Sequence, residues 1–194
     1  DRVTVMRADA TRLPFDAGRF DRVVCSELLE HVPDHERVTA EIHRVLKPGG
    51  VVMFSVPCAR YPFLWDPLNW TLERAAGRHV PAHIWWLAGI WADHVRLYDE
   101  PAFRGVIQSA GLRVEQVWRA TYHCIPFAHF LLYGIGKNIV EKGLAPGFYR
   151  FSDDQRRSPM VRGVQGVLDV FDRRNTRYDY AACMNLVAKA TKSG

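Results

Sequence analysis

Phe20-Asp21-Arg22-Val23-Val24-Cys25 and Val51-Val52-Met53-Phe54-Ser55-Val56 are the two runs whose reading decides the fold. The apolar core of each is short and β-branched, the signature of a strand. Between them Val38, Ile42, Val45 and Leu46 recur at i, i+4, i+7 and i+8, which is one face of a helix. Asp34 is placed to cap its start, and Glu36 suits the positive end of the helix dipole. Lys47 lies at the other end, and Pro48-Gly49-Gly50 is expected to stop the helix. Strand, helix and strand with short links close most naturally as a parallel, right-handed βαβ unit.

The pattern extends in both directions. Upstream, Val3-Thr4-Val5-Met6 reads as a buried strand, and Asp9 to Gly18 carries loop and turn chemistry. Downstream, Asp99 caps a helix with Pro101 in its first turn and Phe103, Val106, Ile107 and Ala110 on one face. Gly111 closes that helix. Leu112 to Trp118 follows as a strand, and Met184 to Ala188 reads as the last one. The expected fold class is α/β, Rossmann-like, with a mostly parallel sheet. Its core comprises 1–58, 94–122 and 182–191. Two helical inserts interrupt it: a Trp-rich one at 59–93, and one at 123–181 that is first apolar and then basic. The first holds Trp65, Trp70, Trp85, Trp86 and Trp91, five of the six tryptophans.

Composition agrees with a globular domain rather than a disordered chain, at 48% hydrophobic and 24% charged residues. Cys25, Cys58, Cys124 and Cys183 form no C-x-x-C pair, which argues against a zinc site or disulfide framework and suits a reducing cytoplasm. The net charge of +5 is uneven: residues 1–136 carry 15 basic and 15 acidic side chains, residues 137–194 carry 11 and 6. A basic segment of this kind is either a solvated face or a contact for anionic lipid, phosphate or nucleic acid.

The residues from Arg7 to Pro57 resemble the type 11 small-molecule methyltransferases of the class I S-adenosylmethionine-dependent superfamily. The resemblance is carried by Ala8-Asp9-Ala10, Leu13-Pro14-Phe15, Arg19-Phe20-Asp21-Arg22-Val23-Val24, Leu29-Glu30-His31-Val32, Arg44-Val45-Leu46-Lys47-Pro48-Gly49-Gly50 and Val56-Pro57, in that order. His94-Val95-Arg96-Leu97-Tyr98 through Ala110-Gly111-Leu112 resembles the last helix–strand unit of that fold more loosely. The resemblance implies S-adenosylmethionine as cofactor. It gives Asp9 the role of accepting from the adenine amino group, the Ala10 backbone N–H that of meeting a ring nitrogen, and Leu13 that of an apolar wall. Ser26 and Glu27 would line the mouth where the methionine part and the methyl acceptor meet, at the carboxyl ends of the strands. His31 is the candidate general base for an acceptor hydroxyl, against the alternative of a turn-capping histidine. No histidine spacing makes a defensible metal site.

One part of that family's pattern is missing. Its glycine-rich cofactor loop and its ribose-binding acid should precede Val3, and Gly134-Ile135-Gly136 is followed by Ile139 where a third glycine would be needed. The expectation is a chain truncated at its N-terminus and inactive by itself. The parent activity implied is methyl transfer to a small, hydrophobic, lipid- or quinone-like acceptor. A non-catalytic interaction subunit is the alternative; a nucleic-acid methyltransferase is weakened by the lack of a readout module or base-flipping signature. A nicotinamide-dependent oxidoreductase would share the sheet but leaves the Leu29-Glu30-His31 and Lys47-Pro48-Gly49-Gly50 pair unexplained. The Trp-rich insert is either a lid over the acceptor or, with the run through 123–150, a peripheral membrane contact. The protein is expected in the cytoplasm, with membrane association if that contact is made.

Overall fold

Asp34 and Asp99 start the two helices that cover the sheet. The computed structural model describes residues 3–84, 87–123, 166, 169–175 and 180–194, which fall into two compact units. The first comprises 1–59, 95–118 and 185–194; the second comprises 60–94 and 119–184.

In the first unit Asp34 accepts from the Arg37 N–H at 3.0 Å and opens α1 (His35–Val45). Asp99 accepts from the Ala102 N–H at 2.8 Å and opens α3 (Glu100–Ser109). Both caps satisfy amides that a helix leaves without internal partners. Gly111 adopts φ 81° where α3 turns into the next strand, a conformation glycine reaches without a Cβ clash. β1 (Phe20–Ser26) pairs in parallel with β2 (Leu46–Pro57), register Val23 to Val52 and Cys25 to Phe54. The strand order is β1, β2, β4 (Asn185–Lys192), β3 (Leu112–Ala120).

Three expectations change. The sheet is mixed rather than mostly parallel, because β4 runs antiparallel to β2. Val3 to Met6 is not a strand: Val3, Val5 and Met6 are exposed, and among the described residues no neighbouring strand pairs with them in a ladder. The helix stops at Val45 instead of at Pro48. Leu46 already pairs with Phe20, and Lys47 to Gly50 forms an irregularity inside β2, with Gly49 at φ 75°.

The core follows from the alternation of β2 and β4. Val52, Phe54, Val56, Leu186, Ala188 and Ala190 are buried on one face, beneath Val38, Ile42, Phe103 and Ile107 of the helices. Phe103 meets Phe54 edge to face at 6.5 Å and Tyr98 at 5.7 Å. Lys192 ties the end of β4 to α1 by donating to the carbonyls of His43 and Leu46.

The second unit is organised by a buried polar knot. Asp66 caps α2 (Pro67–Ala76) through the Asn69 N–H, and its other oxygen accepts from Asn69 Nδ2 and from the Ile90 N–H. Asn69 also accepts from the Val80 N–H and donates to the Ala88 carbonyl. Gly89 sits against this knot at φ 57°. Elsewhere in the unit, Asn175 accepts from the backbone N–H groups of Tyr122 and His123 and donates to the His123 carbonyl. The expected insert at 123–181 lies largely outside the described residues. Among those described, no helix is long and apolar enough to cross a membrane.

Candidate active site

β1 and β2 end together, and β4 begins where they end, so one edge of the sheet collects Ser26, Glu27, Ser55 and Asn185. Ser26 lies opposite Ser55 in register, and Asn185 opposite Pro57. The Glu27 N–H donates to the Ser55 carbonyl at 3.0 Å, and Glu27 itself turns the chain at φ 49°. Ser55 Oγ donates to Glu27 Oε1 at 2.7 Å, and Asn185 Nδ2 donates to the same oxygen at 3.0 Å. Ser55 has a single proton, so across the 2.8 Å contact between the hydroxyls Ser26 is the donor. The result is a directed chain from Ser26 through Ser55 to an accessible carboxylate.

Leu28 to Pro33 follows as a loop that the 95–98 segment holds in place. Arg96 donates to the carbonyls of Leu29 at 2.9 Å, Pro33 at 2.7 Å and Val32. The Val95 N–H donates to the Glu30 carbonyl at 2.9 Å, and the Tyr98 hydroxyl donates to the Leu29 carbonyl at 3.3 Å. This clamp fixes Glu30 and His31. The Glu30 side chain is fully buried, and among the described residues neither carboxyl oxygen has a hydrogen-bond partner. Burial, assisted by the nearby Glu27 charge, lifts its pKa to about 7. His31 Nε2 stands 3.6 Å from Glu30 Oε1, and its ring is partly exposed.

The loop bearing Asp9 and Leu13 is pinned by α1. Glu41 accepts from the Leu13 N–H at 2.9 Å and from Arg44, whose guanidinium also donates to the carbonyls of Leu13 and Phe15. The Arg44 contact holds the Glu41 carboxyl down to about 2. Asp9 Oδ1 accepts from both the backbone and the hydroxyl of Thr11, which lowers its pKa. Asp9 lines a cavity of about 560 Å³ with Ala8, Pro14, Arg7, Arg12 and Arg37. Leu13 lines another of about 460 Å³ with Met6, Phe15 and Arg19; Pro14 is common to the two. The structure therefore brings Ser26 and Glu27 together, places His31 one loop further on, and sets Asp9 and Leu13 on adjacent cavities. Ala10 borders neither of these two.

Residues 1–54 match the family model described as a methyltransferase domain. An S-adenosylmethionine-dependent methyltransferase from Thermotoga maritima superposes over 98% of this chain and 65% of its own, at a TM-score of 0.51 and 16% identity. This is a class I methyltransferase fold. The fold also carries other chemistry, since the [4+2]-cyclase SpnF superposes over 96% of this chain and 54% of its own at a TM-score of 0.51 and 18% identity. A ubiquinone biosynthesis O-methyltransferase of Azotobacter vinelandii is 48% identical over 54 residues, 28% of this chain and 22% of that protein. A demethylmenaquinone methyltransferase of Staphylococcus epidermidis is 43% identical over 53 residues, 27% of this chain and 22% of that protein. The match thus spans about a fifth of the length of these curated relatives.

Sequence reasoning assigned no role to Glu30, Ser55, Asn185 or Arg96. Ser55 and Asn185 are polar breaks at the ends of apolar strands, and that is a usable signal. Glu30 stood in the quoted Leu29-Glu30-His31-Val32, but nothing in a sequence says which of two adjacent polar residues is buried.

Proposed function

We propose that the protein containing this chain transfers the methyl group of S-adenosylmethionine to a small, hydrophobic acceptor of the lipid- or quinone-like kind. The observation that carries this reading is the hydrogen-bonded chain Ser26–Ser55–Glu27 at the carboxyl edge of the parallel pair, where ligands of open α/β sheets settle. The names of these two relatives support a quinone-like acceptor.

The residues present fit such a cofactor. Asp9 spends only Oδ1 on Thr11, which leaves Oδ2 to accept from an adenine amino group beside the 560 Å³ cavity. The cofactor supplies an electrophilic sulfonium methyl, so the protein's task is to align the acceptor, exclude water and take up one proton. Glu27, held by Ser55 and Asn185, orients polar groups at the mouth. His31 is the group that takes the acceptor's proton at Nε2, and Glu30 beside it stabilises the resulting imidazolium in its ionised form, above about pH 7.

Calorimetric titration of S-adenosylmethionine tests the reading, using the protein as its gene encodes it and the 194-residue chain. Binding by the encoded protein, weakened roughly tenfold by Asp9→Ala as loss of a charged hydrogen-bond acceptor predicts, is the expected outcome. Absence of binding by both withdraws the catalytic reading in favour of a scaffold that acts through protein contacts.

A further inference from the structure

The second unit ends in an apolar tip beside cations. Phe63 is 46% exposed, Leu64 48% and Leu68 37%. Single exposed apolar side chains are ordinary, but these three stand together at the Pro62–Trp65 turn and the first turn of α2. The Asp66 knot anchors that turn rigidly, so the exposure is built in rather than incidental. Phe63 meets Trp70 edge to face at 5.1 Å, and the Arg74 guanidinium lies 3.7 Å over the Trp70 ring. Leu68, Thr71, Arg74 and Ala75 share the exposed face of α2, and Arg78 follows just past the left-handed Gly77. Of the acids nearest in sequence, Asp66 is inside the knot and Glu73 accepts from Trp91 Nε1.

We propose that this tip docks on an anionic lipid bilayer, with Phe63, Leu64 and Leu68 entering the interface and Arg74 and Arg78 meeting lipid phosphates. Apolar side chains backed by an aromatic ring and flanked by arginine match the chemistry of the headgroup region, where hydrocarbon and phosphate lie within one side chain's reach. Three side chains and two cations suffice for reversible adsorption to a bilayer. A stable protein interface would need roughly 800 Å² from each partner. The surface would bring the enzyme to where a hydrophobic acceptor dissolves, yet it does not depend on methyl transfer, because it is read without cofactor.

The experiment is co-sedimentation of the 194-residue chain with vesicles of phosphatidylcholine, alone or mixed with phosphatidylglycerol. Binding to the mixed vesicles is expected, falling as salt rises. Leu64→Ser should weaken it by about tenfold and Arg78→Gln by several-fold. Both changes are at exposed positions, and the far- and near-ultraviolet dichroism of each variant reports whether the fold is kept. Phe63→Ser, which also touches Trp70, is a third variant. Equal binding to phosphatidylcholine alone, or unchanged binding by both Leu64→Ser and Arg78→Gln, overturns the proposal. So does a dimer in solution that Leu64→Ser dissolves without any vesicle binding by the parent chain, because the tip would then belong to a second copy.

Discussion

Glu30 is a glutamate that still holds a proton where most have lost theirs. Its folded pKa of about 7 lies above the ordinary 4.5, so between those values the folded state binds more protons than the unfolded one. Stability therefore falls as pH rises across that window, by up to a few kcal/mol, and levels off above it. Glu30→Gln keeps the shape and removes the charge, so the slope should flatten. Urea unfolding at a series of pH values reads this directly, and parallel profiles for the two proteins would show that Glu30 titrates normally. Glu41 works with the opposite sign. Its pKa, held near 2 by Arg44, makes a contribution that is complete above 4.5 and lost as pH falls toward 2. Glu41→Ala should cost about 2 kcal/mol by stranding Arg44 and the Leu13 amide, and should loosen the Asp9 loop enough to weaken cofactor affinity. If affinity survives while stability drops, the loop is not what positions Asp9. The Glu41–Arg44 pair is a local i,i+3 contact on α1, whereas the loop that buries Glu30 is fixed by the 95–98 segment, far along the chain.

Caps and turns are where local sequence and element agree most closely. Asp34, Asp99, Gly111 and the parallel pairing of the two quoted strands follow from short-range chemistry and were legible for that reason. Val3 to Met6 has the same apolar, β-branched character, yet is no strand, since a strand exists only through its neighbours. The start of β2 misleads differently: Leu46 continues the helical period but is claimed by pairing with Phe20. In the second unit the decisive residue is Gly89. An added Cβ would lie 1.7 Å from Asp66 Oδ2, and the φ of 57° disfavours any side chain there. Gly89→Ala should thus open the Asp66–Asn69 knot and cost more than about 2 kcal/mol locally. Hydrogen exchange locates the damage: protection should vanish at Asn69, Val80 and Ile90 while the β2–β4 ladder keeps its own. Loss of protection throughout the chain would mean that the knot supports more than its own unit.

At the scale of the whole sheet, the covered face and the outer edge pose different problems. α1 and α3 bury Val52, Phe54 and Ala188, but alternation sends Val24 and Met53 to the opposite face, and Val24 is 75% exposed. β1 is also the end strand, and among the described residues nothing pairs with its outer edge. A parallel pair normally has both faces covered, and an open apolar edge invites pairing with another chain. Self-association of the chain through β1 is the expected consequence. Val24→Lys places a charge on that edge without touching the buried face, so the unfolding free energy should change by no more than about 0.5 kcal/mol. The oligomer fraction in sedimentation velocity should drop at the same time. A drop in stability with no change in association would show that Val24 is packed within its own molecule. Oligomers untouched by Val24→Lys would move the contact to another surface, and Leu64→Ser then identifies whether that surface is the tip of the second unit.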